Sequence, residues 1–254
     1  MTSHALKFGS PGVHQIAYDH MPGDGPTVLF LHGLNSDRHG TKAEALLAHC
    51  GAKKYGFVRF DMFGHGQSSG RFEDGTISRW TADAVAMIDA QIQGPIVLVG
   101  SSMGGWIALK AALARPMRVV GLMGLAAAPD FTEDLMWNEL TPAQHDQMNI
   151  SGVVELPSEY ADQPYRISRT LIEDGRQNLL LRSPIAISCP VRLLHGQADT
   201  SVPWRTATAL AENITGGDVE TILIKDGDHR LSRPQDLQRL CDALDRLILR
   251  VRGS

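Results

Sequence analysis

Ser102 is the central residue of a Gly-x-Ser-x-Gly pattern, Gly100-Ser101-Ser102-Met103-Gly104, which follows the apolar run 95–99 and precedes an apolar stretch of helical character. A serine on a sharp turn between a buried strand and a helix is exposed at the end of the sheet, and small neighbours let the helix pack close to the strand. The chain has 25 glycines, so the pattern alone also fits an ordinary turn. Its position between strand and helix favours Ser102 as a nucleophile.

A serine nucleophile needs a histidine base within hydrogen-bond reach, and that histidine needs an acid to hold its tautomer. Among 10 histidines, His229 is selected by its position in the loop after the last predicted strand. Asp199 follows the neighbouring predicted strand, so both loops are expected to open at the same edge of the sheet. Asp130, at the end of an earlier strand, is the alternative acid. Asp228 is adjacent to the base and is interpreted as a turn residue.

Acyl transfer at a serine also requires hydrogen-bond donors for the negative charge that develops on the carbonyl oxygen, and removing one donor costs about 100- to 1,000-fold in turnover. The backbone N–H after the nucleophile supplies one donor, here that of Met103, and the loop after the first buried strand supplies a second, here that of Leu34. His32 is interpreted as a hydrogen-bonded structural histidine rather than a base. The glycine-rich loop 61–68 is expected to shape the pocket without taking part in the chemistry.

These residues can meet only if a sheet brings the ends of several strands to one edge. From about residue 27 onward, short β-rich runs alternate with helical patterns, which predicts a mostly parallel, twisted α/β sheet with helices on both faces. Two runs upstream are predicted to be antiparallel edge strands. The predicted strands cover residues 5–8, 13–18, 27–31, 57–60, 95–99, 119–125, 191–194 and 219–224, and the predicted helices cover 41–52, 80–91, 204–212, 234–250 and a stretch that begins at Met103.

The alternation of strands and helices stops between about residues 130 and 184, where polar residues and prolines replace it. We interpret residues 1–129 and 185–254 as one α/β core domain and residues 130–184 as an inserted cap. Insertions that follow a strand of a parallel sheet tend to lie over the ligand site, although a surface excursion without a role is the alternative. Within the cap, the pattern predicts helices at 140–149 and 168–180 and a hairpin that pairs 153–156 with 165–167.

Bulky cap residues are candidates for the wall that contacts an acyl chain. Met136, Trp137, Tyr160 and Tyr165 combine apolar bulk with a position in the cap. A chain bound beneath the cap would make these side chains part of the substrate pocket. Packing of the cap onto the core explains the same residues equally well, so both interpretations stay open.

The composition fits a single globular domain and excludes several classes of protein. The chain has 254 residues, 43% of them hydrophobic and 20% charged, which is typical of a soluble protein with a sizeable core. A net charge of −4 without a Lys/Arg cluster argues against nucleic acid as a partner. No apolar run reaches the length of a membrane span and no targeting segment is visible, so a cytoplasmic location without stable membrane insertion is expected. The three cysteines follow no disulfide or metal-site spacing, and neither a metal nor a cofactor is expected.

Together, the motifs of this chain resemble those of the α/β-hydrolase superfamily, and the resemblance covers nearly the whole sequence. It rests on His32-Gly33, the loop 61–68, the turn at Ser102, the Asp199 loop and His229. Within the superfamily, the chain is similar to the group of mitochondrial palmitoyl-protein thioesterases that also hydrolyse acyl glucuronides. The segments that carry this narrower resemblance are 100–106, 114–116, 156–160, 183–185, 191–196, 202–204 and 228–230.

This resemblance implies an α/β-hydrolase fold and a thioesterase or carboxylesterase activity in which Ser102, Asp199 and His229 form a catalytic triad. His32 stands where the animal members of the group are expected to have proline, and their import sequence is not visible, so a bacterial relative is expected. A shared fold and triad leave the leaving group open, because the cap and the pocket determine it.

The sequence therefore predicts a serine hydrolase that cleaves carboxylic esters or thioesters of acyl groups through an acyl-enzyme intermediate. Its substrate is expected to be a small molecule or an S-acylated protein. Two alternatives stay open: cleavage of a carbon–carbon bond by a hydrolase or lyase that uses the same three residues, and a ligand-binding protein of this fold that turns over slowly. Dehalogenase and epoxide hydrolase chemistry would require a carboxylate at position 102, which argues against both. Acyl chain length and oligomeric state do not follow from the sequence.

Overall fold

The computed structural model describes residues 2–7, 14–157 and 164–253 of the protein. Strands and helices alternate along most of this length. The strands are β1 (Thr2–Lys7), β2 (Gln15–Met21), β3 (Asp24–Leu31), β4 (Tyr55–Phe60), β5 (Ile96–Ser101), β6 (Val119–Leu125), β7 (Val153–Leu156), β8 (Tyr165–Ser168), β9 (Val191–Gly196) and β10 (Val219–Ile224). The α-helices are α1 (Thr41–Lys53), α2 (Ile77–Gln91), α3 (Met103–Ala114), α4 (Pro142–Ser151), α5 (Arg169–Arg176), α6 (Arg205–Asn213) and α7 (Pro234–Arg252).

Within this part of the chain, an 8-stranded sheet has the order β1-β2-β4-β3-β5-β6-β9-β10. β2 is antiparallel to both β1 and β4, and all other neighbours in the sheet are parallel. The predicted mostly parallel sheet with antiparallel strands at its start is therefore confirmed. Because the parallel strands point the same way, the loops that follow β3, β5, β6, β9 and β10 open at one edge of the sheet.

Each face of the sheet has its own apolar core, because successive side chains of a strand point to opposite faces. In β3, Leu29 and Leu31 join the core that also contains side chains of α2, α3 and α6. Val28 and Phe30, which alternate with them, join the core that contains side chains of α1 and α7. The prediction of helices on both faces is confirmed.

Helix boundaries depart from the predicted ones where a capping residue sets the start. α2 begins at Ile77, upstream of the predicted start at Trp80, because the side chain of Thr76 accepts a hydrogen bond from the Arg79 N–H at 3.1 Å. α4 begins later than predicted, at Pro142, because the preceding threonine forms a capping box and proline suits the first helical turn. α5 ends at Arg176, short of the predicted end at residue 180.

The segment between β6 and β9 contains α4, α5 and the predicted hairpin, in which β7 pairs antiparallel with β8. A π-helical turn at Thr132–Met136 and a 3-10 turn at Trp137–Glu139 were not predicted. The division of the chain into a core and a cap with boundaries at 130 and 184 stays a prediction. Across the described ranges, no helix combines the length and the apolar character needed to cross a membrane.

Candidate active site

Ser102 lies between the end of β5 and the start of α3, on a backbone turn with φ 54° and ψ −121°. This conformation is rare for a residue with a side chain and places the hydroxyl above the sheet edge. The turn also requires glycine nearby: a Cβ added to Gly104 would lie 2.2 Å from the carbonyl oxygen of Leu31, and one added to Gly100 would lie 2.2 Å from the carbonyl oxygen of Gly104. The glycines of the sequence pattern are therefore explained by close contact between α3 and the strands.

The structure brings the three residues predicted as nucleophile, base and acid into one hydrogen-bonded chain. The Nε2 atom of His229 lies 3.0 Å from the hydroxyl oxygen of Ser102. The other ring nitrogen of His229, Nδ1, lies 2.8 Å from Oδ2 of Asp199. A carboxylate can only accept here, so Nδ1 carries the proton, and Nε2 is left as an acceptor that faces the serine hydroxyl.

Asp199 is fixed from several sides in the loop that follows β9. Its Oδ1 atom accepts the N–H groups of Ser201 and Val202 at 2.9 and 2.8 Å, and its side chain is 0% exposed. Burial on its own raises the pKa of the Asp199 carboxyl, but hydrogen bonds from His195 and His229 outweigh burial and hold that pKa well below its usual range. Asp199 is consequently a carboxylate at every pH at which the protein would work.

Asp130, the alternative acid, lies elsewhere in the fold and has another set of partners. Its two carboxylate oxygens accept the N–H groups of Leu180 and Leu181 at 2.7 and 2.8 Å. Asp130 is 0% exposed and has a positive φ of 60°. Burial raises the pKa of its carboxyl above the ordinary value. This residue ties the start of the segment between β6 and β9 to its end, and the structure does not bring it to His229.

The backbone predicted to hold an oxyanion lies against Ser102. A Cβ added to Gly33 would lie 3.3 Å from the Cβ of Ser102, so the loop after β3 packs closely against the serine. Leu34 and Met103 both line the cavity into which Ser102 and His229 open. Leu34 belongs to the loop beside Ser102, and Met103 begins α3.

The cavity has a volume of about 400 Å³ and is lined by both apolar and polar residues. Its apolar lining residues include Met103, Ala128, Phe131, Leu135, Met136, Tyr165 and Val202. Its polar lining includes the loop 35–37, Thr41 and Lys42 at the start of α1, Arg230 and Ser232. Lys42 donates from Nζ to the carbonyl oxygen of Arg230 at 2.5 Å. Burial lowers the pKa of Lys42 to about 8.

The predicted pocket residues have different positions. Tyr165 and Met136 line the cavity. Trp137 does not line the cavity. The centroids of the Trp137 and His145 rings lie 4.4 Å apart, and the guanidinium of Arg176 lies over the Trp137 ring. Leu135 and Met136, which belong to the π-helical turn directly before Trp137, line the cavity instead. Tyr160 lies outside the described residues.

Sequence reasoning missed several contributors to the site. His195, at 0% exposed, resembles any core residue of a buried strand, and only the structure shows its contact with Asp199. Phe131 and Leu135 carry no signal beyond hydrophobicity. Lys42 was assigned only to a helix, and its position at the first turn after a loop of the site could have suggested a place at the cavity.

Comparison with known proteins gives the class of this protein. The pattern of the Alpha/beta hydrolase family matches residues 28–243. The chain belongs to this family, and the prediction of a hydrolase with this fold is confirmed.

Individual relatives are similar over most of the chain. Palmitoyl-protein thioesterase ABHD10, mitochondrial, from Bos taurus is 39% identical over 239 residues, which span 94% of this chain and 78% of the relative. The structure of alpha/beta hydrolase domain-containing protein 10 from mouse superposes with a TM-score of 0.90 at 35% identity and covers 99% of this chain and 100% of the other. A protein from Agrobacterium vitis S4 has a TM-score of 0.93 at 40% identity, with 97% of this chain and 98% of the other covered.

Proposed function

We propose that this protein hydrolyses carboxylic esters or thioesters of acyl groups, with Ser102 as nucleophile, His229 as base and Asp199 as the acid that holds His229. The observation that carries the proposal is the continuous hydrogen-bonded chain from the serine hydroxyl to the buried carboxylate, with distances of 3.0 and 2.8 Å. Such a chain serves to activate a hydroxyl that is a weak nucleophile at neutral pH.

The reaction proceeds in two half-reactions, formation of an acyl-serine and its hydrolysis. Ser102 Oγ attacks the acyl carbonyl carbon while His229 Nε2 takes the hydroxyl proton, and the carbonyl oxygen becomes an oxyanion. Collapse of this intermediate breaks the bond to the leaving oxygen or sulfur, which receives the proton from His229 and departs. Water then attacks the acyl-serine, His229 takes a proton from that water, and the carboxylic acid leaves as Ser102 recovers its hydrogen.

Asp199 and two backbone donors support these steps. The ionised carboxylate stabilises the imidazolium that forms on His229 and keeps Nδ1 protonated. The N–H groups of Leu34 and Met103 are the proposed donors to the oxyanion, since both residues line the cavity at Ser102. A donor of this kind is favourable because it stabilises charge that exists only in the transition state and the tetrahedral intermediate.

The apolar lining residues of the cavity favour an acyl chain over a small polar acid. Phe131, Leu135 and Met136 offer apolar surface in the cavity that Ser102 also lines. Relatives at 38 and 39% identity are named palmitoyl-protein thioesterases. Both observations support a medium or long acyl group, and the relatives favour a thioester.

Steady-state hydrolysis of matched oxygen esters and thioesters, from acetyl to palmitoyl, tests the proposal. Wild type should turn over repeatedly, and Ser102→Ala should reduce turnover by about 10⁴-fold or more. Ser232→Ala is the matched control, because Ser232 lines the same cavity and has no proposed part in the chemistry. A Ser102→Ala protein as active as wild type would refute the assignment of the nucleophile. A wild type that binds these esters and does not turn them over would favour the alternative of a ligand-binding protein.

A further inference from the structure

His32 and His65 form a reciprocal pair between two loops. His32 follows β3, and its Nε2 atom accepts the N–H of Met62 in the loop after β4 at 3.1 Å. His65 lies in that second loop, and its Nε2 atom accepts the N–H of Asn35 in the first loop at 3.2 Å. Each histidine therefore binds the backbone of the other's loop.

The contacts determine the protonation of both rings. Because each Nε2 atom accepts an N–H, the proton of the neutral ring is on Nδ1. His32 Nδ1 donates to the carbonyl oxygen of Gly33 at 2.8 Å, and His65 Nδ1 donates to that of Phe63 at 3.0 Å. Both histidines are buried, at 1% and 4% exposed, with ring centroids 4.9 Å apart.

Two peptide groups that flank Leu34 are held by this pair. The Gly33 carbonyl that His32 binds belongs to the same peptide group as the Leu34 N–H. In a trans peptide the C=O and N–H point in opposite directions, so fixing the carbonyl oxygen on His32 directs the Leu34 N–H away from His32. The next peptide group is fixed by His65 through the N–H of Asn35, a residue with a positive φ of 51°.

We propose that His32 and His65 are positioning residues that hold the Leu34 N–H toward the oxyanion formed at Ser102. This inference rests on the proposed function, because it takes Leu34 as an oxyanion donor. His32 also polarises the donor: its Nδ1–H binds the carbonyl of the peptide whose N–H faces the oxyanion, and hydrogen bonds in series strengthen one another. Neither ring touches the reacting atoms, so both act through the backbone of Gly33, Leu34 and Asn35.

The loop after β3 is also held at Arg38, independently of the two histidines. The effect of changing a histidine can therefore be separated from loss of the loop structure. The N–H of Arg38 donates to Oδ1 of Asp61 at 2.8 Å, and the Arg38 guanidinium contacts the same carboxylate. This clamp keeps the loop after β3 in place when one histidine is changed. The expected consequence is a small reorientation of one peptide group rather than loss of the loop.

Two variants of His65 that both carry a side-chain amide, His65→Gln and His65→Asn, test the inference. In His65→Gln the side-chain oxygen reaches the position of Nε2 and can accept the Asn35 N–H. In His65→Asn the amide ends at the level of Nδ1, so it can donate to the Phe63 carbonyl but cannot reach Asn35. We expect kcat to decrease by about 10- to 100-fold in His65→Asn, with KM within about twofold of wild type, and to stay within about threefold of wild type in His65→Gln.

A pair of inhibitors separates positioning from a general effect on structure. A boronic acid with the acyl chain of the substrate forms a tetrahedral adduct on Ser102, whereas the carboxylic acid product does not. In His65→Asn, the inhibition constant of the boronic acid should increase by about the factor lost in kcat, and that of the product should not change, because only the adduct uses the oxyanion donor.

Several results would overturn the inference. His65→Asn and His65→Gln could reduce kcat equally, or His65→Asn could weaken boronic acid and product alike. His49→Leu is the control for loss of a histidine contact elsewhere, since His49 pairs with Asp245 at 2.8 Å between α1 and α7, and it should leave both inhibition constants unchanged. If the proposed function itself were wrong, a different result would be seen. Wild type would not hydrolyse the ester and thioester substrates, or Ser102→Ala would be as active as wild type.

Discussion

The Nε2 atom of His195 lies 3.1 Å from Oδ2 of Asp199, and both side chains are 0% exposed. His229 contacts the same oxygen at 2.8 Å. Two histidines thus share one acceptor atom, and His195 also lies 3.0 Å from the carbonyl oxygen of Val202. Since both of these partners accept, Nε2 of His195 carries the proton, and its Nδ1 atom has no hydrogen-bond partner within the described ranges.

Removal of this shared donor should reduce turnover. In His195→Phe, Oδ2 of Asp199 keeps only the hydrogen bond from His229, so the carboxylate that orients His229 is held less firmly. We expect kcat to decrease by about tenfold in His195→Phe, while His195→Gln, which can still donate, stays within about threefold of wild type. Equal kcat values in His195→Phe and wild type would indicate that His195 supports only the fold.

The two candidate acids should respond differently to the same substitution. Asp199→Asn leaves the site's shape intact but no longer holds the tautomer of His229, so kcat should decrease by about 10⁴-fold. Asp130→Asn should leave kcat within a few-fold of wild type and reduce the free energy of unfolding by about 1–3 kcal/mol, because the amide replaces one of the two accepting oxygens by an NH2 group that faces a backbone N–H. Kinetics and denaturant unfolding of both variants measure these effects. The opposite pattern would make Asp130 the acid.

These two aspartates show which part of the site could be predicted from sequence. Order along the chain and placement after adjacent strands favoured Asp199, and the structure places it at His229. The part played by Asp130 could not be predicted, because it depends on the path by which residues 180 and 181 return to the sheet. Long-range contacts of a non-repetitive segment leave no periodic pattern in the sequence.

The sequence pattern predicted the fold better than it predicted the residues of the pocket. Alternation of strands and helices is encoded locally, and it predicted the strands of the main sheet and the helices on both faces. Trp137 shows the limit: it is predicted as a pocket residue, but Leu135 and Met136 of the preceding π-helical turn line the cavity instead. A shift of this kind comes from tertiary packing and has no recognised sequence pattern.

The apolar lining residues of the cavity should control the preference for acyl chain length. Met136 lines the cavity and is only partly buried, so Met136→Trp would fill part of the cavity with little strain elsewhere. We expect kcat/KM for palmitoyl substrates to decrease by at least about tenfold relative to that for acetyl substrates. Ile150→Trp, at a position 87% exposed, is the control. Equal effects on short and long chains would place the acyl group elsewhere.

The buried histidine pair should make stability depend on pH between neutrality and moderate acid. Burial lowers the pKa of His32 to about 4 and that of His65 to about 3, against 6.5 for an unperturbed histidine. The folded pKa values lie below the unfolded ones, so the unfolded chain binds more protons and the free energy of unfolding falls as the pH drops below 6.5. Each histidine contributes a slope of up to about 1.4 kcal/mol per pH unit.

Urea unfolding of wild type and His65→Gln at several pH values measures this slope. In the variant, the difference in bound protons between the unfolded and folded states should be smaller by about one proton than in wild type. Identical slopes in wild type and His65→Gln would contradict the assignment of a neutral, buried His65.

Trapping of the acyl-enzyme tests whether Ser102 is the nucleophile. The protein is mixed with a palmitoyl thioester, quenched in acid within the first turnover and digested, and the peptide that contains Ser102 is weighed by mass spectrometry. We expect one palmitoyl group on that peptide, attached through Ser102 Oγ, which is absent in Ser102→Ala and forms far more slowly in His229→Gln because acylation needs the base. Rapid turnover without any acyl group on this peptide, or an acyl group on another residue, would contradict it.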